Sequence, residues 1–164
     1  MYVALNPDRL HYVRLVSRVH NRISTGDRMI KWNQQANSAC TFCNTVMETL
    51  DHLTFERCVS SDVWHGLFSK LLGSCYSNSW STIVELVVDR RHDKLPLFLL
   101  LYTFQATVHP VWRERNRRRH GETSQTVVQM QSYIDKLVRN RISTMKMMGR
   151  KRFDDSMGRW FASR

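Results

Sequence analysis

The sequence predicts an all-α fold, and three observations carry that prediction. Apolar residues recur at three- and four-residue spacing along most of the chain; no window alternates strictly enough to read as a strand; and no internal repeat appears. Residues 9–22 set Leu10, Val13, Val16 and Val19 on one helical face. The stretch from Ser24 to Asp27 interrupts it, and Thr25 or Asp27 is placed to cap a short helix through Met29, Ile30 and Trp32. A polar loop follows over 33–38, then a tight turn from Cys40 to Cys43. Glu48 to Phe55 reads as a short amphipathic helix carrying Leu50, His52 and Leu53.

Ser60 or Ser61 caps the next helix, in which Val63, Trp64, Leu67, Phe68, Leu71 and Leu72 keep the 3, 4 rhythm. Gly73 to Ser79 closes it, and Ser81 caps a helix over 82–90 with Ile83, Leu86 and Val87 inward. The longest pattern spans 95–119 through Leu97, Leu100, Leu101, Phe104, Val108, Val111 and Trp112. Pro110 lies inside it and is expected to break or kink the helix, because it removes one ladder bond and crowds the carbonyl of Ala106. After Gly121 a last helix is expected over 124–146, through Val127, Met130, Ile134, Leu137, Val138 and Met145. Residues 149–164 show no period and are expected to fray. The expected organisation is a helical metal-binding module over 1–92, a long-helix pair over 93–148, and a flexible tail over 149–164.

Length and composition narrow the function. A chain of 164 residues, 42% hydrophobic, is long enough to bury a core without disulfide staples. The apolar run from Leu95 to Phe104 is far short of the ~20 residues a membrane helix needs. Asp8, Arg9, His11 and Arg14 make the first residues unlike a secretory leader, so the chain is expected inside the cell, in nucleus or cytoplasm, with reduced thiols. The net charge of +11 is unevenly spread: residues 1–110 hold 11 basic and 9 acidic side chains, residues 111–164 hold 14 and 5. The last third is thus +9 on a nearly neutral body, which points to a polyanion as partner. Arg113, Arg115, Arg117, Arg118 and Arg119 concentrate that charge, and guanidinium forks match phosphate oxygens. A helix basic nearly all round is expected to project past Trp112 as an arm.

Cys40, Cys43, His52 and Cys58 follow the spacing C-x2-C-x8-H-x5-C. Two thiolates across a two-residue turn converge on one ion, and a His and a further Cys can complete the tetrahedron that Zn²⁺ prefers. Asp51 is a weak candidate to orient His52, since neighbours on a helix diverge. His65 is an alternative ligand on the outer face of its helix, and Cys75 is a core or free thiol. A redox role for Cys40-Thr41-Phe42-Cys43 lacks the preceding strand such motifs need.

These residues carry a resemblance. His20-Asn21-Arg22-Ile23-Ser24-Thr25-Gly26-Asp27-Arg28-Met29, the Cys40 and Cys43 pair, Glu48-Thr49-Leu50-Asp51-His52-Leu53 and Val63-Trp64 resemble the zinc-binding module that follows the polymerase domain in plant LINE-type (non-LTR) retrotransposon reverse transcriptases. Gln105, Trp112, Arg113, Glu114, Arg115, Asn116 and the run to His120-Gly121 resemble the C-terminal tail of the same proteins. The resemblance covers about residues 20–145. It implies a zinc site, and RNA, DNA or a reverse transcriptase polymerase domain as partner. In one respect the chain departs from the family: the last ligand there usually follows the His by four residues, where Arg57 stands here, and Cys58 comes next. If a helix persisted through residue 58, the shift would turn the thiol by roughly 100°.

Polymerase chemistry is not expected of this chain. It needs paired aspartates on a palm sheet to hold two metal ions, and Phe153-Asp154-Asp155 sits in a basic stretch without flanking strand patterns. Nor does a nucleophile elbow, dinucleotide loop or phosphate-binding loop occur. Trp64, Trp80, Phe104 and Trp112 sit on apolar faces; Trp32 and Trp160 are less committed, and Trp160 reads as a loose tail aromatic. The sequence therefore leaves two function classes. One is a non-catalytic, zinc-stabilised module that binds RNA or DNA through the arginines; the alternative is a protein-interaction or structural module that packs on a partner domain.

Overall fold

Apolar residues at helical spacing become seven α-helices and one 3₁₀ turn in the computed structural model, which describes residues 23–56, 59–88, 94–151 and 154–163. They are α1 (Gly26–Met29), α2 (Leu50–Thr54), α3 (Val59–Leu72), a 3₁₀ turn (Gly73–Cys75), α4 (Trp80–Val88), α5 (Lys94–Arg119), α6 (Val127–Met147) and α7 (Ser156–Ala162). The fold is all-α, as the sequence predicts. Among the described residues the nearest thing to a sheet is one isolated antiparallel bridge, Ala39 to Met47. The helix expected over 9–22, with Leu10, Val13, Val16 and Val19, lies outside the described residues, as does the side chain of Val87.

The core forms where α3, α5 and α6 meet, each giving up one apolar face. Val63, Trp64, Leu67 and Phe68 of α3 face Leu97, Leu100, Leu101, Phe104, Val108 and Val111 of α5. Met130, Ile134, Val138 and Ile142 of α6 close the third side. The Trp64 ring stands edge-on to Phe104 at 5.7 Å and to Phe55 at 5.2 Å, the geometry that opposes ring edges to ring faces. Its indole N–H is satisfied by the Ser77 carbonyl at 2.9 Å. Ile23, Leu53 and Phe55 of the N-terminal part share this cluster, so one core runs across the expected module boundary near residue 92.

Two local expectations are revised. Pro110 does not end its helix: α5 runs unbroken from Lys94 to Arg119, with Val108 and Val111 buried on either side of the proline. Tertiary packing outweighs the missing ladder bond there. The tail does not simply fray. Residues Ser156–Ala162 form α7 against α5 and α6, Trp160 is fully buried, and its indole N–H donates to Asp135 Oδ1 of α6 at 2.7 Å. Helix α6 starts at a capping box: Thr126 Oγ1 accepts from the Gln129 backbone at 3.2 Å, and the Gln129 side chain accepts from Thr126 N at 2.9 Å. No helix among the described residues is long and apolar enough to cross a membrane.

Candidate metal centre

The turn that aims the two thiols is built by backbone hydrogen bonds across residues 38–48. Cys40 N donates to Val46 O at 2.8 Å, Asn44 N to Cys40 O at 2.7 Å, and Glu48 N to Ser38 O at 2.8 Å. Asn44 takes φ 55°, a left-handed conformation that asparagine tolerates better than most residues, and so reverses the chain just after Cys43. The hairpin leads into α2, whose N-cap Thr49 accepts from His52 N at 3.2 Å. One turn into that helix, the His52 imidazole swings back over the hairpin.

The ligand atoms of Cys40, Cys43 and His52 lie within 4.8 Å of one another, and Cys43 Sγ is 3.3 Å from His52 Nε2. A tetrahedral zinc with Zn–S near 2.3 Å and Zn–N near 2.0 Å separates its sulfur and nitrogen ligands by about 3.6 Å, so the three atoms fit one ion. Cys40 is fully buried and His52 nearly so, with 7% of its surface exposed. His52 Nδ1 faces Glu56 Oε2 at 3.4 Å, one helical turn on. A proton on Nδ1, facing that carboxylate, leaves the Nε2 lone pair for a metal, the usual way a carboxylate orients a metal-bound histidine. The carboxylate expected beside His52 is thus Glu56 rather than Asp51, which is exposed. An i, i+4 search from His52 would have found it. Partial desolvation of its carboxyl and the neighbouring charge of Glu56 raise the Asp51 pKa.

Cys43 is poised as a thiolate. The Thr45 hydroxyl donates to its Sγ at 3.2 Å, and backbone hydrogen bonds from Thr45 and Val46 add to that, lowering its pKa to about 6 against the opposing effect of burial. Cys58 lies outside the described residues. α2 ends at Thr54, with Phe55 at φ −133°. His65 is exposed and its ring meets Tyr76 edge-on at 5.4 Å; Cys75 is an exposed free thiol.

The arginine-rich end of α5 does not stand clear of this centre. Arg115 is buried, 3% exposed, against a fully buried Glu48 at the base of the metal hairpin. Its Nε lies 3.1 and 3.0 Å from the two Glu48 oxygens, its Nη2 also bonds Oε1, and Glu48 Oε1 further accepts from Gly26 N at 3.1 Å. The guanidinium also covers the Trp112 ring at 4.6 Å. Arg118 pairs with the buried Glu114 at 2.8 Å and lies over the Phe42 ring, between the two cysteines in sequence, at 5.0 Å. Arg119 donates to Asn37 O at 3.1 Å. The projecting arm is therefore corrected: an acid 67 residues away in sequence draws Arg115 inward, and the helix end is fastened to the metal hairpin. Arg113 is exposed, and Arg117 is partly so, 3.6 Å from Glu122. Gly26 belongs to the same fastening, for a Cβ there would stand 2.3 Å from the Ser38 carbonyl oxygen.

Two thiols and an imidazole on a hairpin and helix bring together three of the donors that zinc prefers, in a helical protein. Residues 9–64 match the family model described as zinc-binding in reverse transcriptase, and all three converging ligands fall within them. That segment is similar to the zinc-binding module of reverse transcriptases. It takes in 56 of the 164 residues, the metal-binding third, and the match is not to a catalytic polymerase domain. No curated protein and no solved structure matches the chain.

Proposed function

We propose that the chain is a zinc-stabilised, non-catalytic nucleic-acid-binding module of a LINE-type retrotransposon reverse transcriptase, as a part of one or a stand-alone derivative. In this reading Cys40, Cys43, His52 and Cys58 hold one Zn²⁺, and the ion locks the hairpin on which the basic helix end rests. The module grips RNA or DNA by its phosphates. The observation that carries the reading is the junction of charge and metal site: Arg119 of the most basic stretch is bonded to Asn37, three residues before the first cysteine. The helix end that carries the cations is thereby held against the hairpin, which lowers the entropy lost on binding a polyanion.

Of the five arginines, Arg113, Arg117 and Arg119 are the phosphate contacts, while Arg115 and Arg118 support them by fixing the helix to the hairpin. Binding of this kind is sequence-independent, because backbone contacts position without reading base edges. The test is affinity for RNA and DNA measured across a salt series with the zinc-loaded protein. Each neutralised phosphate contributes about −0.7 to −0.9 to the slope of log K against log salt, so replacing Arg113, Arg117 and Arg119 together by alanine should flatten the slope by roughly two to three. A wild-type chain that binds neither polymer would leave the arginines to a protein partner and refute the reading.

A further inference from the structure

Trp32 is the most exposed aromatic side chain among the described residues, with 76% of its surface open to solvent. The indole leaves a large flat π-face open to solvent, available to a planar partner. Its setting argues against a flexible side chain on a loose loop. The segment is pinned at one end by Asp27 N donating to Glu48 O at 3.0 Å and Gly26 N to Glu48 Oε1. It then winds through successive turns, with Ile30 N on Gly26 O, Trp32 N on Met29 O at 3.1 Å and Asn33 N on Met29 O at 2.9 Å. Asn33 Oδ1 accepts from Gln35 N at 3.0 Å, and Asn37 Oδ1 from Ala39 N at 2.9 Å, which carries the order into the metal hairpin. The indole thus rides on backbone fixed to the same Glu48 that anchors Arg115.

The basic helix end lies alongside. Arg115 Nη2 reaches Ser24 O at 3.3 Å and Met29 Sδ at 3.9 Å, on one side of Trp32 in sequence, and Arg119 reaches Asn37 O on the other. The remaining residues from 31 to 37 are Lys31, Asn33, Gln34, Gln35, Ala36 and Asn37, a cation and amides with a single methyl group. An apolar partner surface would find little to bury there except the indole. A strand of phosphates and unpaired bases would find cations, amide hydrogen-bonding groups and one flat π-face.

We infer that Trp32 is a stacking platform for an unpaired base, so that the module prefers single-stranded nucleic acid to duplex. This rests on the nucleic-acid reading above and specifies its ligand. Every base offers a π-face, so stacking adds affinity without sequence choice, whereas paired bases in a duplex present no free face to the indole. Anisotropy of labelled oligouridine and oligothymidine of about 15 nucleotides, with a duplex of equal length, measures the preference on the full zinc-loaded chain. Trp32→Ala should weaken binding to both single strands by roughly tenfold and leave duplex affinity within about twofold, with Trp32→Phe recovering much of the loss. If Trp32→Ala binds single strands as wild type does, or loses single strand and duplex alike, stacking is overturned while the phosphate reading stands. If wild type binds neither polymer, both fall, and the indole belongs to a protein contact.

Discussion

Replacing Glu48 by glutamine removes one negative charge at the point where metal hairpin, α1 and α5 are joined. The carboxylate is fully buried and receives the Arg115 Nε and Nη2 groups and the Gly26 N–H. With glutamine, Arg115 stays charged and 3% exposed, and an amide NH₂ must face donors that previously met oxygen. Breaking one side of a buried ion pair costs about 3–5 kcal/mol, because the surviving charge has lost both water and partner. For a chain of this size each kcal/mol lowers the melting temperature by about 2–4 °C, so a fall of about 6–20 °C is expected. Urea unfolding of the zinc-loaded protein, followed by circular dichroism, measures the free energy directly. The double change Glu48→Leu with Arg115→Met should recover most of the loss, since apolar replacement of a whole buried pair is often neutral. A loss below about 1 kcal/mol for Glu48→Gln would mean that Arg115 reaches water and that the helix end is not fastened as described.

Two further outcomes follow from the core and the metal. Trp160→Ala should cost about 3–5 kcal/mol, because a fully buried indole and its 2.7 Å bond to Asp135 are both lost; a change under about 1 kcal/mol would return residues 156–162 to the status of a loose tail. Chelation should speed hydrogen exchange across residues 38–56 while Leu100 to Val111 and Met130 to Ile142 stay protected, since those helices bury their own core; uniform acceleration throughout would show that the fold depends on the ion as a whole.

The helix class, the long patterns of α5 and α6 and the convergence of Cys40, Cys43 and His52 are legible because each rests on spacing along the chain. What the sequence hides depends on what folds against what. The run Arg113 to Arg119 reads as solvated charge until Glu48 arrives from 67 residues away to take Arg115 inside. Trp160 belongs to a seven-residue helix, too short to display a period, and only its docking on α6 reveals it as core. The Ala39–Met47 bridge is a single pairing, below the length at which alternation can be seen. Glu56 lies one helical turn from His52, a spacing present in the sequence, whereas Asp51 is only its immediate neighbour, and adjacent side chains on a helix diverge.

Metal content is the most direct measurement of the zinc centre around which the hairpin and basic helix end are organised. Protein purified without chelators or added metal should carry one zinc per chain, and Cys40→Ser, which removes the buried ligand, should carry almost none. Wild-type protein without zinc, or a Cys40→Ser chain that keeps its full complement, would contradict the assignment of the site.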